Sequence, residues 1–267
     1  MNKEIKIGWF SCGVTSAVAC KLAIDKYGKD NIELYYMVIA SAHSDNERFI
    51  RDCEKWYGKT INRVQSEKYT DQFDVIEKTG YVNGIGGARC TLELKKKVRF
   101  KIEDTVIHYG QIFGFEFEKK EINRAIRFSE QFPKAKPIYP LIDRKMTKPQ
   151  CAELLLKNGI KLPRMYELGF HNNNCIGCVK GGKGYWNHTR KHFPEYFDRM
   201  AKAERGAGHS CIKNTFLDEL DPEVGKHLPP IVPNCGTFCE IEFADIIDPD
   251  TEQVLAGYKT MKQLNLF

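Results

Sequence analysis

No apolar run in the sequence approaches the roughly 18–20 residues that cross a bilayer, so a membrane-spanning helix and a membrane partner are not expected. No GxxxxGK[ST] segment occurs either, which excludes the Walker type of phosphate loop. Internal repeats are missing, so solenoid and propeller architectures fall away. Excess charge is small: 41 Lys and Arg against 35 Asp and Glu leave a net +6. That balance permits a polyanionic partner, nucleotide or nucleic acid, without requiring one. Lys3 and Lys6 precede an apolar stretch in the manner of a secretory leader. Ser11, Gly13, Thr15 and Ser16 interrupt it and Lys21 follows, so a cytoplasmic chain is expected.

Cysteine, by contrast, is abundant, with ten in 267 residues. A chain of this length, 42% hydrophobic, can bury a core without disulfides. In a reducing compartment, clustered cysteines then point to metal or redox chemistry. Cys20, Cys53 and Cys151 stand alone within helical patterns and read as small buried apolar residues.

Ile5 to Phe10 reads as a strand, and Val14 to Tyr27 as a helix that Gly28 stops. Glu33 to Ala40 is a second, continuously apolar strand, the pattern of a buried parallel sheet. Asp45 to Tyr57 is helical, Ile61 to Gln65 a third strand, and Thr70 or Asp71 caps a further helix. This alternation predicts an α/β fold, doubly wound around a mainly parallel sheet. Later come a glycine-rich loop at 83–90, a basic helix at 91–103, a strand from His108 to Phe115 and a helix from Glu118 to Glu130. Lys136 to Leu141 is expected to be extended, and Thr147 with Pro149 opens a helix closed by Gly159. A soft boundary near 145 divides a nucleotide-binding part, 1–145, from a smaller, mostly helical part, 146–267, that carries the CxxC.

In doubly wound sheets, ligands sit at the carboxyl ends of the strands, near the switch in strand order. Ser11-Cys12-Gly13-Val14-Thr15-Ser16 lies at one such end. Its backbone N–H groups, hydroxyls and following helix N-terminus suit an anion; an ordinary βα turn fits them equally. Ser41 to Glu47 lies at another end. There Asp45 and Glu47 suit ribose or magnesium, or simply a solvated helix start.

Cys175 and Cys178 form a CxxC in the polar, glycine-rich segment 171–185, which can donate N–H groups to sulfur. One CxxC supplies two ligands. Cys90, beside Arg89, is the best third, and the fourth is Cys235, Cys239 or no cysteine at all. Soft thiolates favour an iron–sulfur cluster such as [4Fe–4S], with Zn2+ as the alternative. The basic run Lys95, Lys96, Lys97, Arg99 and Lys101, with Lys180, Lys183, Arg190 and Lys191, reads first as solvated surface and second as a phosphate track. Tyr185, Trp186, Phe193, Tyr196 and Phe197 read first as core and second as stacking surface.

The loop Ser11 to Ser16 resembles the SGGxDS PP-loop of the adenine-nucleotide alpha-hydrolase superfamily, with Cys12 for the first glycine and Thr15 for the aspartate. Arg89-Cys90-Thr91 with Leu94-Lys95, Tyr139-Pro140-Leu141, the helix from Thr147 and Asn172-Asn173-Asn174-Cys175-Ile176-Gly177-Cys178 follow in the order seen in its PAPS reductase-like and DndC-type branch. This resemblance covers about residues 5–210. It implies a PP-loop fold, ATP or PAPS with Mg2+ held at Ser11, Cys12, Gly13, Val14, Thr15, Ser16 and Asp45, and a cluster on Cys90, Cys175, Cys178 and Cys239. Cys90 and Cys235 are the candidate catalytic thiols. The implied activity is ATP-dependent sulfur transfer through an adenylated acceptor; PAPS or APS reduction and a non-catalytic nucleotide-binding module are the rivals. Candidate partners are an adenine nucleotide, a nucleic-acid acceptor, a sulfur-donor or thiol-reductant protein and a second copy of the chain.

Overall fold

The computed structural model of the chain describes residues 4–84 and 87–225. Its centre is a five-stranded, all-parallel sheet in the order β3-β2-β1-β4-β5. The strands are β1 (Lys6–Trp9), β2 (Ile32–Met37), β3 (Ile61–Val64), β4 (Gln111–Ile112) and β5 (Pro137–Ile138). β2 pairs with β1 from Lys6↔Ile32 to Trp9↔Tyr35, and β4 joins β1 through Ile7↔Gln111 and Gly8↔Ile112. Strand order therefore reverses between β1 and β4, and the crevice of the fold opens there.

The helices are α1 (Val14–Tyr27), α2 (Asn46–Tyr57), α3 (Gln72–Thr79), α4 (Arg89–Thr91), α5 (Lys97–Thr105), α6 (Lys119–Gln131), α7 (Pro140–Asp143), α8 (Lys148–Lys157), α9 (Arg164–Glu167), α10 (Lys183–His192) and α11 (Pro194–Ala207). The α1 sequence is small and apolar on most sides, with Val14, Ala17, Val18, Cys20, Leu22, Ala23 and Ile24 all buried. It can therefore lie between the sheet and α8, whose Cys151, Ala152, Leu154 and Leu155 belong to the same core. Cys20, Cys53 and Cys151 are buried there without disulfides. A second core gathers Phe73, Trp186, Phe197, Met200 and Leu217 beneath α10 and α11. Trp186 and Phe197 are thus core, not stacking surface. No helix among the described residues is long and apolar enough to cross a membrane.

The structure departs from the sequence reading in its second half. The strand expected over His108 to Phe115 is confined to Gln111–Ile112. From Phe113 onward the chain leaves the sheet to pass over the start of α1. At Gly114 an added Cβ would lie 2.6 Å from both the N and Cα of Ser16. The stretch expected to be extended from Lys136 to Leu141 is strand only at Pro137–Ile138, because Pro140 takes the first position of α7, where its missing N–H costs nothing. The basic helix at 91–103 is interrupted by a π-helical turn, Leu92–Lys96.

Candidate functional site

The loop after β1 turns back on itself through one hydroxyl. Ser16 Oγ accepts from the Ser11 N–H at 3.1 Å and from Ser11 Oγ at 3.0 Å, and donates to the Gly13 carbonyl at 2.9 Å. Cys12 adopts φ 61°, the left-handed region that glycine enters freely and other residues rarely. Its side chain is fully buried, with Sγ 3.6 Å from the Asn46 carbonyl. Cys12 therefore combines a glycine-like backbone conformation with a side chain packed into the core. Val14 is also buried, and its N–H meets the Tyr166 hydroxyl at 3.4 Å. The first N–H groups of a helix have no intrahelical partners. Those of Thr15 and Ser16 meet no acceptor among the described residues.

Two further segments are stitched to this loop. Asn173 Nδ2 donates to the Cys12 carbonyl at 2.6 Å and to Asn46 Oδ1 at 2.8 Å. Asn46 in turn donates to the Tyr36 hydroxyl at 3.0 Å. The CxxC turn is held from below: Gln72 Nε2 donates to the Ile176 carbonyl at 2.7 Å, and Gln72 Oε1 accepts from Ser41 Oγ at 2.5 Å. The Ile176 N–H donates to the Ser41 carbonyl at 2.9 Å. The loops after β1 and β2 and the CxxC segment thus form one hydrogen-bonded unit. Over 100 residues of chain separate the CxxC segment from the groups it meets here, which is why no local pattern announces the unit.

Two spaces that share much of their lining lie against this unit. The smaller, about 180 Å³, is walled by Trp9, Tyr35, Tyr36 and Tyr166 and floored by Ser11, Gly13 and Thr15. The larger, about 810 Å³, is bordered both by Ser11, Thr15 and Ser16 and by Cys90, Cys175 and Cys178. Lys95, on the π-helical turn, and Lys148, at the start of α8, line both. Cys90, Thr91, Leu94 and Lys95, the block singled out in the sequence, all reach the larger space.

Lys148 was not singled out in the sequence. Its Nζ donates to the His171 carbonyl and to Asn172 Oδ1, at 2.6 Å for the latter, while its backbone N–H donates to Glu116 Oε2 at 2.6 Å. Burial pushes the Lys148 ammonium down to about 8, against the opposing pull of Glu116. A lysine at the first position of a helix also works against the helix dipole. That misfit was the readable signal.

The thiols are close enough to feel one another. Burial, then the neighbouring Cys178 and Cys175, pushes Cys90 up to about 11. Burial also raises Cys175, with Lys95 pulling the other way. Cys211, given no role from sequence, lies near enough to Cys178 and Cys90 to be raised by them, after burial and the adjacent Glu204. Among the described residues, no three His, Cys, Asp or Glu side chains converge tightly enough to hold a single metal ion. Cys235 and Cys239 lie outside the described residues.

Asp45 does not face either space. Its carboxylate takes two 2.7 Å hydrogen bonds from Arg48 and one of 2.9 Å from the Arg164 N–H. Burial works against its charge, but these donors hold it below the usual carboxylate range. Most of the basic run is likewise engaged: Lys97 pairs with Glu93, Arg99 with Glu103 and Lys101 with Glu67.

No family model and no solved structure matches the chain. An uncharacterized protein of Methanocaldococcus jannaschii is 25% identical over 201 residues, 73% of this chain. The chain spans 40% of that relative's length.

Proposed function

We propose that the chain is an ATP-using sulfurtransferase of the PP-loop type. The observation that carries this reading is a single space bordered by Ser11, Thr15 and Ser16 of the loop after β1 and also by Cys90, Cys175 and Cys178. A triphosphate would lie over the first turn of α1. There the Thr15 and Ser16 N–H groups and the helix dipole meet negative charge, and Lys95 and Lys148 add two ammonium groups. The aromatic recess of Trp9, Tyr35, Tyr36 and Tyr166 would take the adenine ring, with the ribose and phosphates in the larger space. Mg2+ would enter with the nucleotide. Asp45, tied to Arg48, is not its ligand in this reading.

An acceptor oxygen attacks the α-phosphorus, and the bond to the bridging oxygen of pyrophosphate breaks. The adenylated carbon is then attacked by hydrosulfide, and its bond to the AMP oxygen breaks. Sulfur enters at the oxidation level of sulfide, so the exchange needs no outside electrons. In the first step the chain's contribution is electrostatic: fixed donors meet charge that moves onto the leaving oxygens.

The donors suit an iron–sulfur cluster in chemistry: three soft thiols border one space, with Cys211 near them. Thiolates of a cluster stand on separate irons and so lie further apart than the ligands of one ion. That is compatible with finding no single-ion site among the described residues. Cys90, Cys175 and Cys178 would hold the cluster, with Cys211, Cys235 or Cys239 as a fourth ligand, and it would supply an iron able to bind sulfur. A nucleic acid is the proposed acceptor class: Lys180 borders the larger space, and Lys183 and Lys191 are exposed.

Incubation with ATP plus a nucleic-acid acceptor and, separately, with PAPS plus a dithiol reductant tests the reading. Pyrophosphate release from ATP supports it. Sulfite release from PAPS transfers the chain to the reductases, and tight binding without product makes it a nucleotide-binding module. Iron and sulfide analysis after anaerobic purification tests the cluster.

A further inference from the structure

A further cavity lies beside the CxxC loop: a chamber of about 230 Å³, lined by Phe170, His171, Cys178, Lys180, Tyr185 and His188. The segment 171–178 runs along the border between this chamber and the larger space. His171, Asn172, Asn174, Cys178 and Lys180 border both spaces. The bordering segment is rigid at its thiol end. The Tyr185 hydroxyl accepts from the Gly177 and Cys178 N–H groups at 3.0 and 2.9 Å and donates to the Cys175 carbonyl at 3.2 Å.

The chamber has a definite electrostatic sign. Its described walls include no Asp or Glu, and Lys180 brings an ammonium group. α10 begins at its rim, capped by Gly182 without a side-chain acceptor and with no acid in its first turn. Size narrows the ligand further. The chamber is smaller than the roughly 300 Å³ at which sites for drug-sized molecules begin, yet holds several times the roughly 30 Å³ of one water. A nucleotide is too large; a small anion is not.

We infer that this chamber admits a small inorganic anion, hydrosulfide, and delivers it to Cys178 while nucleotide occupies the larger space. The choice of hydrosulfide rests on the sulfur-transfer reading; the preference for a small anion rests on the chamber's own walls. A chamber of its own lets the sulfur nucleophile arrive after adenylation without displacing the nucleotide.

Gly182 provides the test. Its backbone, φ −83° and ψ −177°, accepts any residue, and an added Cβ meets nothing within 4 Å. Gly182→Phe should fold and obstruct the chamber. Sodium hydrosulfide is titrated anaerobically by calorimetry into the full chain, with and without saturating ATP. The expected result is hydrosulfide binding that survives saturating ATP, weakens at least tenfold in Gly182→Phe, and leaves ATP affinity unchanged in that variant. Competition between hydrosulfide and ATP, indifference to Gly182→Phe, or no hydrosulfide binding overturns the inference. Failure of ATP to bind, with hydrosulfide binding still sensitive to Gly182→Phe, would defeat the nucleotide reading and leave the chamber standing.

Discussion

Replacing Lys148 by methionine separates the cost of a buried charge from its use. Lys148 is 5% exposed, and its ammonium is pushed from 10.5 to about 8. A shift of that size corresponds to about 3 kcal/mol of penalty on the charged form. The group is a base with a depressed pKa, so between about 8 and 10.5 the unfolded chain binds more protons than the folded one, and wild-type stability rises with pH across that window. Below about 8 both states are protonated and the full penalty is present. The methionine variant has no such rise. The difference in unfolding free energy, wild type minus variant, should therefore move in favour of wild type by about 2 kcal/mol between about pH 7 and 9.5. Lost hydrogen bonds to His171 and Asn172 offset both ends of that comparison alike. Urea unfolding at the two pH values measures it. A wild-type-minus-variant difference that does not change with pH would refute the assignment of a buried, depressed ammonium. The same group should serve the nucleotide. Wild-type ATP affinity should fall up to about tenfold per pH unit above about 8, as the free ammonium loses its proton. In Lys148→Met the affinity should be weaker at neutral pH and lose this slope.

Cys12→Gly relieves the left-handed backbone, worth about 1 kcal/mol, but gives up a buried sulfur of similar worth. Its urea unfolding free energy should stay within about 1 kcal/mol of wild type, whereas Cys12→Val, β-branched at φ 61°, should lose more than about 2 kcal/mol. Gly114→Ala drives a methyl against the first turn of α1. It should destabilise by about 1–3 kcal/mol and weaken ATP binding more than tenfold in a calorimetric titration. Gln72→Ala leaves the Ile176 carbonyl without its donor and Ser41 Oγ without its acceptor. It should cost about 2–3 kcal/mol in thermal or urea unfolding and lower the iron content of anaerobically purified protein.

The elements that carry strong local signals were legible. α1 runs from Val14 to Tyr27 with Gly28 after it, as its apolar spacing and stop residue indicate. α3 is capped by Asp71, whose side chain accepts from the Asp74 N–H. The three thiols and the loop after β1 could be named from sequence, and they border one space. What could not be read is the framework that joins them. Tyr166, 152 residues from the Val14 N–H it meets, carries no local sign of that contact. Asn173 stood in a run of three asparagines, with nothing to say which one would join the loop after β1 to the CxxC segment. Gly114 fell unremarked within the strand expected over His108 to Phe115, because the obstacle that demands glycine is the backbone of a helix almost 100 residues earlier. Asp45 erred in the other direction. A carboxylate at the end of a buried strand suits a ligand, but Arg48, one turn on, claims it first.

The central claim is that a nucleotide's phosphates rest on the first turn of α1, facing the thiols. A crystal structure of the full chain with a non-hydrolysable ATP analogue tests it most directly. The account expects phosphate oxygens within hydrogen-bonding distance of the Thr15 and Ser16 N–H groups, and adenine in the recess of Trp9, Tyr35, Tyr36 and Tyr166. Phosphates bound elsewhere, with that turn left bare, would contradict it.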